Sequence, residues 1–243
     1  MRLLDRQVRL LDYLTSSGAI FGEDGDATPD PALRGMDLRL LRLEACFSHE
    51  KRMEKIIAVF PKTYRLLGAA RAAIVREFVK AYPPTDIARI ENARQFYDFL
   101  SSRWWLEPPQ PPYLEDVAAC EFAIAQVRAG MRAADGEPTT SGESCRDVIR
   151  RHPDMVLLRC AYNIRPVIED DAEEAALVRC DTLLAIAIPL GAAHPKIFEV
   201  PPPVFEVLRA LDDWTNRSEF GTASEVEELV AELVQLGLVE ARG

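Results

Sequence analysis

A chain of 243 residues that is 48% hydrophobic and 28% charged holds enough apolar side chains for one large or two modest cores. It contains no apolar run of the roughly eighteen residues a membrane helix needs, and charge interrupts Met1–Arg6, so neither a span nor a secretory signal is expected and the expected compartment is the cytoplasm. The net charge of −10 is uneven: residues 1–130 carry eighteen acidic and eighteen basic side chains, whereas residues 131–243 carry 21 and 11, a surface that disfavours nucleic acid.

Helical periodicity dominates residues 1–130. Leu4, Val8, Leu11 and Leu14 form one face of a first helix ending near Gly18. Gly22–Pro31 is an acidic, turn-rich loop. Leu40, Leu43, Phe47, Met53, Ile57 and Phe60 fit a long amphipathic helix stopped by Pro61. Tyr64, Leu66 and Leu67 make a short turn before Gly68. Ile74, Val75, Phe78, Val79 and Tyr82 mark another helix, broken by Pro83 and Pro84. Ile87, Ile90, Phe96, Phe99 and Leu100 mark the next. After a proline-rich turn, Leu114, Val117, Ala118, Glu121, Phe122 and Ala125 mark the last. An all-α domain over 1–130 is the expectation.

Residues 131–147 are poor in large apolar side chains and read as a linker. From 148 to 243 the pattern changes. Apolar runs at Met155–Tyr162, Leu183–Pro189 and Lys196–Val200 predict a three-stranded sheet, the last two joined as a hairpin through 190–195. Pro201, Pro202 and Pro203 then lead into a helix marked by Val204, Phe205, Leu208 and Leu211. Val226, Leu229, Val230 and Leu233 mark a second helix, opened by Ser224 with Glu227 as a capping box. Strands, helices and the closing Gly237-Leu238-Val239 together predict a small winged-helix-like domain, and the chain as a whole an α+β fold. Residues 201–243 hold nine acidic and three basic side chains, the wrong sign for a DNA reader.

No catalytic constellation is present. The chain lacks a phosphate-binding glycine loop and a Gly-x-Ser-x-Gly elbow. Its five cysteines (Cys46, Cys120, Cys145, Cys160, Cys180) and three histidines show no metal-ligand spacing, so reduced thiols and no metal or other cofactor in this chain are expected. The acidic run Glu169–Glu174 reads either as a hard-cation site or as a solvated loop. His49 beside Glu50 reads either as a base or as an ordinary histidine.

Two features point to binding instead. Arg103, Trp104 and Trp105, with Tyr113 beyond four prolines, form a stiff aromatic loop of the composition that dominates protein interfaces. Core anchoring accounts for it equally well, and both roles can be held by adjacent side chains. The second feature is the strand Lys196, Ile197, Phe198, Glu199 and Val200, which as a sheet edge would accept an extended peptide. Beside it, Val226, Leu229, Val230 and Leu233 would line a groove unless they pack on Leu208 and Leu211. Glu225 and Glu232 would favour basic residues in such a peptide.

Phe60-Pro61-Lys62-Thr63-Tyr64-Arg65-Leu66-Leu67-Gly68, Gln95-Phe96-Tyr97-Asp98-Phe99-Leu100 and Pro112-Tyr113-Leu114-Glu115-Asp116-Val117-Ala118-Ala119-Cys120-Glu121 resemble the HvfC/BufC-type proteins, often filed as DNA-binding domains. The resemblance runs over residues 36–240. It implies a non-catalytic partner, related in role to MbnC and TglI, of a multinuclear iron-dependent oxidase that modifies cysteines of ribosomally made precursor peptides. Methanobactin, thiaglutamate and bufferin-type pathways use such pairs. By that resemblance the C-terminal module is a precursor-recognition element that clamps a leader peptide at Ile197–Val200 and Val226–Leu233. The helical domain would dock on the oxidase as a heterodimer, and the iron would lie in the partner. Thr215–Gly221 departs from the family pattern, being too short for a full helix. The alternative is a DNA-binding transcriptional regulator, supported by residues 34–80 with eleven basic and five acidic side chains.

Overall fold

The computed structural model of the chain describes residues 2–23, 30–134, 148–169, 177–220 and 224–242. The chain falls into two units, Met1–Leu114 and Glu115–Gly243. The first is helical, and the second combines helices with two three-stranded antiparallel sheets, giving an α+β protein. No helix among the described residues is long and apolar enough to cross a membrane.

The helical unit contains α1 (Leu3–Leu14), α2 (Ser17–Phe21), α3 (Leu38–Ile57), α4 (Pro61–Leu66), α5 (Arg71–Ala81) and α6 (Arg89–Leu106). Short polar side chains start two of them: Ser16 Oγ accepts the Ala19 N–H at 3.1 Å, and Asp37 Oδ1 accepts the Arg39 N–H at 2.9 Å. Pro61 occupies the first turn of α4, where its missing N–H costs nothing, and so it begins a helix as well as following one. The core is aromatic. Phe78 sits edge-on to Phe96 with ring centroids 5.1 Å apart, and Phe60 meets Phe96 at 5.7 Å.

Two helix faces are only partly where periodicity placed them, although Met53 and Phe60 are buried as expected. Leu4, Val8 and Leu11 of α1 are exposed, as are Leu40, Leu43 and Phe47 of α3. The face of α3 that enters the core carries Ala45, Arg52, Met53 and Ile56. Apolar spacing marks a stripe but not the side on which the neighbours lie, and here the smaller stripe of Ala45 and Ile56 turned inward. Gly18 does not end the first helix either; it is buried within α2, and Gly22 takes the left-handed conformation that closes it.

The second unit contains α7 (Leu114–Ala134), β1 (Val148–Arg151), β2 (Val156–Tyr162), α8 (Arg165–Glu169), β3 (Arg179–Ala187), β4 (Lys196–Glu199), α9 (Pro202–Ala210), β5 (Thr215–Asn216), α10 (Ser224–Gln235) and β6 (Val239–Arg242). Nearly all of α7, assigned by its sequence pattern to the helical domain, thus groups with the sheets. The expected linker opens as the last turn of α7, and its residues 135–147, Cys145 among them, lie outside the described residues, as do Asp170–Glu174 of the acidic run.

One sheet has the order β2-β3-β4 and is the sheet the apolar runs predict. The other, β5-β1-β6, was not anticipated, because β5 is two residues long and β1 follows a polar stretch. Its register sets Arg150 opposite Glu240, whose side chains pair at 2.7 Å. Trp214 packs against two guanidinium groups, Arg150 at 4.6 Å and Arg242 at 4.1 Å from its ring. The segment 215–220 is used for β5 and a single 3₁₀ turn.

Alternation along β2-β3-β4 sorts its side chains cleanly. Leu157, Leu183, Ala185, Ala187, Phe198 and Val200 share one face and join the core formed with Phe205 and Leu208 of α9 and Val230 and Leu233 of α10. The end of α10 explains the closing sequence. The Leu238 N–H bonds to Leu233 O at 2.9 Å and the Gly237 N–H to Val234 O at 3.0 Å, with Gly237 at φ 72°. This pair of bonds reverses the chain into β6, and the apolar contact between its flanks comes from Leu233 and Leu238, both in the core.

Candidate functional site

β4 is an edge strand, hydrogen-bonded to β3 alone. Its phase follows from the Val200 N–H, which donates to Leu183 O at 2.9 Å. Bonding alternates along an antiparallel pair, so Phe198 and Lys196 also turn their backbone groups toward β3. Ile197 and Glu199 therefore turn their N–H and C=O groups outward, and no backbone partner for them occurs among the described residues. At the opposite edge the Tyr162 N–H of β2 is taken by Asp116 Oδ2 at 3.0 Å, while the same alternation turns Leu157 and Arg159 outward. β4 is thus one edge open to strand addition.

Side chains reinforce this assignment. Phe198 and Val200 point into the core and hold the strand down. Ile197 shares the other face with Ile186 and is half-buried. Glu199 is exposed and lies 3.8 Å from Arg165 of α8, whose guanidinium is also held by Glu169 at 3.0 Å. Lys196 is exposed. One strand thus offers an apolar, an acidic and a basic side chain together with two sets of free backbone groups.

The helical wall predicted beside it is only partly present. Val230 and Leu233 are 1% and 4% exposed and pack with Leu208 and Leu211, so they stabilise the fold and cannot touch a peptide. Leu229 is half-buried against the same core, and Glu232 is exposed. The side chains of Glu225 and Val226 lie outside the described residues, as does that of Ser224 in the predicted capping box. Val200, 9% exposed, likewise belongs to the core rather than to a binding surface.

The aromatic loop divides between its two readings. Trp104 is 5% exposed and Tyr113 is 8%, so both anchor the core, whereas Trp105 is 88% exposed at the end of α6 with Leu106 beside it at 83%. Arg103 is committed to Glu77 and Glu107, the latter at 2.9 Å. Of the four residues proposed as an interface, Trp105 alone is presented to solvent. The larger exposed apolar surfaces of this unit, on α1 and α3, were read from sequence as core.

Among the described residues two of the four thiols are buried. These are Cys120 of α7 and Cys160 of β2, and desolvation pushes both up, Cys160 to about 12, with Cys160 adding to the rise at Cys120 and Asp116 to that at Cys160. Cys180 is exposed and lies 3.2 Å from Thr182 Oγ1. His49 has its pKa lowered by burial and then by Arg52, while Glu50 pulls it the other way. It packs edge-on against Phe21 at 5.6 Å. No group of three or more metal-ligating side chains occurs among the described residues. At the exposed end of the sheet face that carries Leu183 and Val200, Arg159 grips Asp181 through two bonds of 2.8 and 2.6 Å, a cross-strand pair that raises the pKa of the arginine and lowers that of the acid.

No family model matches the chain, and no curated protein is similar to it.

Proposed function

We propose that this protein is a non-catalytic adaptor that binds a ribosomally made precursor peptide and presents its cysteine to a partner iron-dependent oxidase. The observation that carries the reading is the free β4 edge, with Ile197 and Glu199 turning unpaired backbone groups outward. An extended peptide added there gains backbone hydrogen bonds in one register while its modified end stays free. The second unit is winged-helix-like in this reading. The acidity of residues 201–243 supports a peptide rather than a phosphate backbone as its ligand. The exposed Trp105 and the apolar stripes of α1 and α3 support docking of the helical unit on the oxidase. Iron and redox chemistry belong to that partner.

Proline tests the edge directly. Ile197→Pro removes an outward N–H that the sheet does not use, so the fold should persist while binding of a Cys-bearing peptide encoded beside the gene is lost. Phe198→Pro removes an inward N–H and should destabilise the sheet itself. Titration by calorimetry, with circular dichroism to follow the fold, reads both outcomes. Undiminished peptide binding by Ile197→Pro would remove the strand-addition claim, and absence of binding by the parent chain would remove the peptide claim.

A further inference from the structure

The helical unit carries a half-open cavity of about 670 Å³, well within the size range of small-molecule sites. One wall is a polar strip of α3 at positions i, i+3, i+4 and i+7: Ser48, Lys51, Arg52 and Lys55. A second wall is apolar, from Leu11 and Leu14 of α1, Ile20 of α2 and Val79 of α5. The third is the connection Pro83–Ile87, whose Ile87 is exposed at the mouth.

Arg52 is the unusual member. It is 8% exposed, and its three nitrogens donate only to neutral oxygens: Nε to Asn92 Oδ1 at 2.9 Å, Nη1 to Tyr82 O at 2.8 Å and Nη2 to Gln95 Oε1 at 2.7 Å. Its guanidinium also lies 4.5 Å from the centre of the Phe78 ring. Among the described residues no carboxylate is paired with it. Burial alone, with no compensating charge, pulls its pKa down to about 10. Two of its five N–H groups remain beyond these three bonds. A buried cation without a counter-charge is costly, and the cost is recovered when an anion arrives.

The same contacts fix the shape of the cavity. Asn92 Nδ2 donates to Asp86 O at 3.0 Å and Ala88 O at 2.8 Å, which orients its Oδ1 toward Arg52. Gln95 Nε2 donates to Thr85 Oγ1 at 2.5 Å. Lys55 Nζ donates to Ile87 O at 2.7 Å. The third wall is therefore tied to the cationic strip before any ligand binds, which lowers the ordering cost of binding. Charge is unbalanced: Lys51, Arg52 and Lys55 face Asp12 and Asp86, three against two, and His49 has its pKa lowered.

We propose that this cavity binds a small organic carboxylate with an apolar body, its carboxylate held by the α3 strip and its body by the α1, α2 and α5 wall. The site is separate from the β4 edge and does not depend on the peptide reading. Calorimetric titration of the full chain with octanoate, its neutral isostere octanamide and inorganic phosphate tests it. Octanoate should bind about tenfold more tightly than octanamide at low salt, as a charge-assisted contact requires. Lys51→Glu, an exposed change outside the Arg52 network, should abolish that preference without lowering the melting temperature. Amide shifts in the NMR spectrum should cluster at 11–20, 48–55 and 83–92. Equal binding of octanoate and octanamide, no binding at millimolar concentration, tighter binding of phosphate than of octanoate, or a preference unmoved by Lys51→Glu overturns the proposal.

Discussion

Asp116 of α7 accepts the backbone N–H of Tyr162 at the end of β2, at 3.0 Å. A carboxylate from one element thereby caps the last N–H on the edge of a sheet made by others. Burial raises its pKa above the ordinary 3.8, with the Tyr162 and Ala161 amides pulling the other way. The protonated acid is thus favoured more in the folded than in the unfolded chain. Any stability gained in this way is full below pH 3.8 and is lost as pH rises through the raised folded value.

Asp116→Asn should therefore keep the bond through its amide oxygen and flatten the pH dependence above pH 3.8. Asp116→Ala should cost about 1–3 kcal/mol by leaving the Tyr162 N–H without its acceptor. Urea unfolding midpoints across that pH range separate the two. An unchanged pH profile for Asp116→Asn would show that burial of this carboxylate is of no consequence to stability.

The adjacent tryptophans should behave oppositely. Trp104→Ala, emptying a core site, is expected to cost about 3–5 kcal/mol. Trp105→Ala should leave the melting temperature unchanged and, if the helical unit docks on an oxidase, weaken that complex. Acrylamide should quench Trp105 readily and Trp104 poorly, which single-tryptophan variants can show.

Thiol accessibility gives a third measurement. In a Cys145→Ser background, Cys180 should react fastest with a disulfide reagent, followed by Cys46. Cys120 and Cys160 should react only as the chain unfolds, since burial keeps them as thiols. Rapid modification of four thiols in the folded protein would contradict the packing of α7 on β2.

Gly237 combines two constraints. Its φ of 72° disfavours any side chain, and a Cβ there would lie 2.8 Å from the backbone nitrogen of Leu190. Gly237→Ala should lower stability by more than about 1 kcal/mol, measurable as a shifted denaturation midpoint. A neutral substitution would mean that the turn at Leu190 is free to move aside.

In the second unit the apolar runs at Leu183–Pro189 and Lys196–Val200 marked strands, but residues 183–187 are apolar on both faces, so only the register assigns Leu183, Ala185, Phe198 and Val200 to one sheet surface. Helix spacing in the first unit carries no absolute reference either. Leu40, Leu43 and Phe47 form as good a stripe as Ala45, Met53 and Ile56, and tertiary packing chose the latter. Arg52 escaped notice because a lone arginine in a charged helix has no signature of burial. Trp214 escaped because its two guanidinium neighbours come from strands that meet only in the folded chain. The β4 edge was visible as a strand, but its outward-facing residues needed the Val200–Leu183 bond to be known.

That bond gives the edge a reading frame. Slipping β4 by one residue would swing Phe198 and Val200 out of the core and drive Glu199 into it, so the strand is locked in phase by its own anchors. Any chain that pairs with β4 must align to Ile197 and Glu199 and can shift only in steps of two. Such an edge measures distance along its guest, fixing how many residues separate the bound segment from whatever lies beyond it.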